Sequence, residues 1–242
     1  MDWFEEWFDT PYYHILYNNR DYKEAESFIS ALTKNLNLPE KAKIVDLACG
    51  KGRHSIFLNK LGFDVLGLDL SQQSIAYDKK FENEHLKFEV HDMRNPLPIT
   101  DFDAVFNLFT SFGYFETEEE DLNVFRSVNH GLKSGGLFVL DYLNREFVES
   151  GIVDSYDEVR DDLTFHIHKE IKNNYIVKEI NFKDQDGLER KYFERVKLHT
   201  SEKIKEYAEE SGFERVKIWG DYQLNPFDVH TSPRCITLFR KK

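Results

Sequence analysis

The chain has 242 residues, 40% hydrophobic and 31% charged, enough to bury a sizeable core. Its formal net charge of −12 repels phosphate backbones. Nucleic acid is therefore a disfavoured partner, and the short basic runs at Lys41-Ala42-Lys43 and Arg240-Lys241-Lys242 do not change that.

The start, MDWFEEWFDT, is acidic and aromatic and lacks the basic and apolar regions of a signal peptide. No stretch approaches the ~18–20 apolar residues that span a bilayer. Cys49 and Cys235 fit no metal spacing, so a soluble, cytoplasmic protein with no metal and no membrane partner is expected.

The N-terminal region reads as helical, broken at Pro11, with an amphipathic stretch over Asp21–Leu36. From residue 43, short β-branched or apolar runs alternate with helical segments. The runs are Lys43–Ala48, Phe63–Leu68, Leu86–Val90, Phe102–Phe109 and Gly136–Tyr142. Between them lie Arg53–Lys60, Ser71–Glu84 and Glu118–Leu132, the last opened by a capping box at Thr117-Glu118-Glu119-Glu120.

Residues 156–199 interrupt this pattern with period-two stretches at Leu163–Ile171, Tyr175–Phe182 and Leu188–His199, parted by turns at Lys172-Asn173-Asn174 and Asp184–Gly187. About three antiparallel strands are expected there. A helix from Thr200/Ser201 to Glu210 and strands at Phe213–Trp219 and Cys235–Arg240 close the chain. The reading is one α/β domain over 1–242: a doubly wound seven-stranded sheet, a helical lid over 1–40 and an antiparallel insertion between strand five and the next helix.

The chemistry gathers at strand ends. Asp46-Leu47-Ala48-Cys49-Gly50-Lys51-Gly52 joins the first strand to a helix, where backbone N–H groups converge on a ligand. Asp69 ends the second strand at the spacing of a carboxylate that binds a ribose diol. His91-Asp92-Met93 ends the third, and Asn107–Gly113 ends the fourth. A dinucleotide turn needs a third glycine where Ser55 stands, and Asp46 would repel a pyrophosphate. A nucleoside with an aminobutyrate tail suits the carboxylate better.

These residues resemble the class I S-adenosylmethionine-dependent methyltransferases. Val45–His54 resembles their motif I, usually D-x-G-x-G-x-G, with Ala48 in place of the first glycine; an alanine is tolerated there if its φ stays negative. Leu66–Ser71 is similar to the acidic loop that follows, and Phe102–Phe109 to the fourth-strand motif. Gly131–Gly136 resembles the reverse turn before strand five.

The resemblance implies S-adenosylmethionine as cofactor. Asp46 and the backbone at Ala48, Gly50 and Gly52 would hold its methionyl part. Asp69, with Leu70 beside it, would bind the ribose, Asp92 and Met93 the adenine, and Asn107 and Leu108 the sulfonium end. Arg53 and His54 are side candidates for ligand contact.

The insertion and the loop Phe109–Phe115 are similar to those of sugar-amine and glycine N-methyltransferases, although Tyr114 stands where the sugar enzymes commonly carry histidine. Tyr12-Tyr13-x-x-x-Tyr17 with Arg20 resembles their lid and implies cofactor contacts for Tyr13 and Arg20. The expected reaction is in-line N- or O-methylation of a small polar acceptor. Tyr114 is the candidate catalytic base or positioning group, and His168 and Arg234 are the further substrate-binding candidates. A homodimer through the insertion is a further expectation. A protein methyltransferase, an NAD enzyme and a non-catalytic module that binds a nucleoside or a partner remain alternatives.

Overall fold

The computed structural model describes residues 3–17 and 22–242. Helices α1 (Trp3–Phe8), α2 (Pro11–Leu16) and α3 (Tyr22–Leu36) come first. Pro11 opens α2 rather than merely breaking a helix: Thr10 caps it by accepting from the Tyr13 N–H, and proline's missing donor is no loss at a first turn.

The alternating region then runs β1 (Lys43–Leu47), α4 (Arg53–Lys60), β2 (Asp64–Asp69), α5 (Gln72–Asp78), a 3-10 turn, β3 (Leu86–Val90), β4 (Phe102–Asn107), α6 (Glu118–Gly131) and β5 (Leu132–Leu143). The α6 capping box is present: Thr117 accepts from the Glu120 N–H at 3.2 Å, and Glu120 accepts from the Thr117 N–H at 3.0 Å. Helix α7 (Arg145–Gly151) leads into β6 (Ser155–Arg160), β7 (Leu163–Lys172), β8 (Tyr175–Lys183) and β9 (Glu189–Lys197). The chain ends in α8 (Ser201–Glu210), β10 (Phe213–Trp219) and β11 (Arg234–Lys241).

The main sheet has seven strands in the order β10-β11-β5-β4-β1-β2-β3. Strands β5, β4, β1, β2 and β3 are mutually parallel, and β11 and β10 join antiparallel. Period-two side chains divide between two cores. Val45, Leu47, Val105, Phe138 and Leu140 pack with Phe125 and Val128 of α6 and Ile204 and Tyr207 of α8. Ile44, Ala104, Phe106 and Val139 pack with Phe28, Ile29 and Leu32 of α3 and Leu58 of α4. The strand order reverses between β1 and β4, so the crevice for a ligand lies outside their C-terminal ends.

The insertion is a separate antiparallel sheet of four strands, β6-β7-β8-β9, not three. The sequence reading missed β6, whose alternation is carried by Tyr156, Glu158 and Arg160 rather than by aliphatics. One face of this sheet takes α1 and α2, burying Trp7, Leu16, Phe165, Ile167, Ile180 and Phe182 together. Its last strand is tied to the main sheet. The Lys197 N–H donates to the Gly113 carbonyl at 2.8 Å, and Lys197 Nζ reaches the buried Asp121 of α6 at 2.6 Å.

Candidate functional site

A cavity of about 1050 Å³ opens at the strand-order reversal, between the main sheet, the four-stranded sheet and the N-terminal helices. Its floor is the turn after β1. Ala48, Gly50 and Gly52 hold φ of 62°, 56° and 64°, so the alanine takes a left-handed conformation and not the negative φ expected of it. The Cys49 N–H donates to the Leu68 carbonyl and the Gly52 N–H to the Cys49 carbonyl, which forces the chain to curl. A side chain at Gly50 would meet open space on the cavity side. At Gly52 it would meet the Phe88 ring at 2.8 Å, so that glycine serves the packing of the turn against β3.

Asp69 is the keystone between turn and cavity. One carboxylate oxygen accepts the Gly50 N–H and the other the Ser71 N–H, both at 2.8 Å, and each keeps capacity to accept a hydroxyl. Ser71 donates in turn to Asp9, from the stretch joining α1 to α2, at 2.5 Å. Asp92, at the end of β3, is gripped by Arg94 through its backbone N–H and two guanidinium nitrogens at 2.7–3.0 Å. Partial burial opposes its ionisation, but these bonds hold its carboxyl below the usual range.

Behind the turn lie two further acids. Asp46 is buried, accepts from Ser55 Oγ at 2.6 Å, and is pushed up to about 6 by burial and then by Asp69, against the Ser55 bond. Asp78 is wholly buried, among the described residues neither of its oxygens has a hydrogen-bond partner, and burial followed by Asp69 and Asp46 pushes it up to about 8. Burial and the same acids hold the Cys49 thiol protonated at the cavity wall. His14 of α2, which also lines the cavity, is lowered to about 4 by burial and by Lys51, so it is neutral at neutral pH.

Of the expected site residues, Tyr13, Ala48, Gly50, Asp69, Leu70, Asp92, Met93, Leu108 and Tyr114 line this cavity. Five do not. Asp46 and Gly52 support the turn from behind. Asn107 is buried, with its amide on the Leu47 carbonyl, pinning β4 to β1. His168 points to solvent from the outer face of β7 and pairs with Ser155. Arg234 is engaged with Asp141 and Thr110 at the end of the sheet. Arg20 lies outside the described residues.

Both side candidates, Arg53 and His54, line the wall; His54 stacks on Phe109 at 4.8 Å. Sequence reasoning missed Phe4, Phe8, Asp9, His14 and Glu194. Glu194 comes from β9 and accepts from Trp7 Nε1 at 2.8 Å and the Tyr17 hydroxyl at 2.7 Å, bonds that link elements more than 170 residues apart. Nothing local marks such a residue. Among the described residues no cluster of metal-ligating side chains occurs, and no helix is long and apolar enough to cross a membrane.

Residues 44–136 match the family model described as a methyltransferase domain. YqeM of Bacillus subtilis (strain 168), itself only provisionally named a methyltransferase, is 36% identical over 135 residues, covering 53% of this chain and 51% of its own. The dTDP-3-amino-3,4,6-trideoxy-alpha-D-glucopyranose N,N-dimethyltransferase of Streptomyces venezuelae is 31% identical over 131 residues, 53% of this chain and 54% of that one. The chain thus matches about half the length of these curated relatives.

An S-adenosylmethionine-dependent methyltransferase from Clostridium acetobutylicum has a similar structure, with a TM-score of 0.80 over 95% of this chain and 96% of that one at 19% identity. At that identity the likeness speaks for the fold. Residues 44–136 thus match a methyltransferase-domain model, and the chain as a whole has the Rossmann-like fold of the Clostridium acetobutylicum protein.

Proposed function

We propose that this chain transfers a methyl group from S-adenosylmethionine to a nitrogen or oxygen of a small polar acceptor. The observation that carries the reading is the open left-handed turn at Gly50, backed by Asp46, Asp69 and Asp78, all three held above the usual carboxylate range. Burial first, and neighbouring carboxylates after it, raise these groups, and acids so held mark a site short of positive charge. A ligand carrying an ammonium and a sulfonium fits it, and a pyrophosphate does not.

Bound there, the cofactor would supply a methyl group on positively charged sulfur; the carbon–sulfur bond leaves its electron pair on sulfur as the acceptor's lone pair forms the new bond, and the acceptor's N–H or O–H proton is released to water. The chain's own part is binding, alignment and exclusion of water. Backbone around Ala48 and Gly50 receives the methionyl end, Asp69 the ribose and Asp92 the adenine amino group. Phe4, Phe8, Phe115 and Val196 give the wall an apolar patch, which helps keep water from the reacting centre. Holding both partners in line can supply about 7–11 kcal/mol in ideal cases, so no strong acid is required. Tyr114 and Tyr13 stand on the wall as candidate contacts to acceptor and cofactor.

The small-acceptor part is supported by the sugar-amine activity in the name of the Streptomyces venezuelae relative and by the enclosure of the cavity under α1 and α2. Two buried free thiols suit a cytoplasmic location. The exposed Val159 on the outermost strand β6 suits a homodimer through the four-stranded sheet, to be tested by sedimentation.

The first experiment is calorimetric titration with S-adenosylhomocysteine. Micromolar binding is expected, about tenfold or more weaker in Asp69→Ala, with no heat from NAD. No binding of the homocysteine nucleoside, or equal binding of NAD, would overturn the reading.

A further inference from the structure

The wall beside Tyr114 rests on unusual backbone. Phe109 and Thr110, one residue beyond β4, hold φ of 59° and 62° in succession. An aromatic and a β-branched residue do not enter the left-handed region unaided, so the conformation is imposed from outside the segment. Asp141, wholly buried in β5, imposes it. Its Oδ2 accepts the Phe109 N–H at 2.7 Å, and its backbone carbonyl accepts the Thr110 N–H at 3.1 Å.

The other carboxylate oxygen of Asp141 is held by Arg234, at the start of β11, through Nε at 2.8 Å and Nη2 at 2.7 Å. The same Nη2 donates to Thr110 Oγ1 at 2.7 Å. Arg234 thereby grips both the residue that imposes the turn and the residue that turns. The result is felt in the cavity. The Thr110 carbonyl accepts the hydroxyl of Tyr114 at 2.5 Å, and Tyr114 lines the wall.

We infer that Arg234 is a positioning residue that sets the direction of the Tyr114 hydroxyl through Asp141 and Thr110. It does not touch the cavity; it acts by holding two left-handed residues so that the Thr110 carbonyl meets the phenol. The planar fork of an arginine is needed for this, because one guanidinium must serve a carboxylate and a hydroxyl at once. In the methyl-transfer reading proposed above, on which this consequence rests, the Tyr114 hydroxyl, donating to the Thr110 carbonyl, orients the acceptor rather than deprotonating it.

The test uses the full chain labelled with [ζ-13C]tyrosine and followed by NMR, with the Tyr114 line assigned by its loss in Tyr114→Phe. In the paired variant Asp141→Asn/Arg234→Met, which leaves no buried charge alone, the Tyr114 line is expected to shift. It should also shift in Thr110→Ala and return to the wild-type position in Thr110→Ser, which restores the hydroxyl that Arg234 grips. A Tyr114 line unmoved in the paired variant and in Thr110→Ala, with only the melting temperature lowered, would reduce Arg234 to a structural ion pair and overturn the inference. The readout uses neither cofactor nor acceptor, so it fails or succeeds independently of the homocysteine-nucleoside titration.

Discussion

Ala48 is the residue at which chemistry and conformation disagree. It lies on the cavity floor with φ of 62°, where an L-residue costs roughly 1–2 kcal/mol that glycine avoids. Glycine in turn loses about 0.5–1 kcal/mol more backbone entropy on folding. Ala48→Gly is therefore expected to stabilise the chain by about 0.5–1 kcal/mol, a rise of ~2–3 °C in a thermal melt. A melting temperature that falls would mean that the alanine methyl packs against something worth more than the strain. The contrast with Gly52 is instructive, since any side chain there collides with Phe88 whatever its φ.

At the scale of elements, the two short N-terminal helices are too brief to be helical alone, and their order comes from what they bury. Trp7 and Leu16 enter the core of the four-stranded sheet, and Glu194 of β9 gathers the Trp7 and Tyr17 donors on one carboxylate. Lys178 of β8 extends the network by donating to the Tyr17 hydroxyl at 2.6 Å. Hydrogen bonds to a charged group contribute about 1.5–3 kcal/mol each, so Glu194 sets much of the local free energy that keeps these helices down. In Glu194→Ala, amide exchange in α2 is expected to quicken about tenfold or more, while amides of β1, β4 and β5 exchange as before. Equal acceleration in the central strands would show that Glu194 stabilises the whole fold rather than this element.

The whole molecule carries the carboxyl cluster as a charge on its stability. Asp46 and Asp78, pushed up to about 6 and about 8, bind protons more tightly folded than unfolded, where a carboxyl titrates near 3.9. Between about pH 4 and pH 8 the unfolded state has released protons that the folded state retains, so stability falls as pH rises through that window. Asp92 and Glu120, held low by their partners, work in the opposite sense, and their contribution is lost in acid as pH falls through their folded values. The ligand-free chain is thus expected to melt higher near pH 5 than near pH 9. Asp78→Asn should raise the melting temperature at pH 9 by about 4 °C or more, and by clearly less at pH 5, where only the lower end of that window has been crossed. A pH slope unaltered by that substitution would show that Asp78 is not the group responsible.

Much of this architecture is legible in local pattern. The alternation of Ile44 and Val45, Ala104 and Val105, or Phe138 and Val139 assigns each side chain to one of two cores, because a strand's geometry has period two whatever it packs against. The turn at Gly50, the acids at Asp69 and Asp92 and the capping box at Thr117 are likewise written within a few residues of where they act. Strand β6 escaped because its alternation is polar. Wall membership was decided only by the tertiary structure. Asp46 and Asn107 sit in the right motifs yet face away, their side chains held by Ser55 and the Leu47 carbonyl. Arg234 meets Thr110 from 124 residues away, and Glu194 meets Trp7 from 187. Covalent geometry repeats over two to four residues and so shows in sequence, whereas a cavity wall is a set of contacts between distant segments that share no local signal.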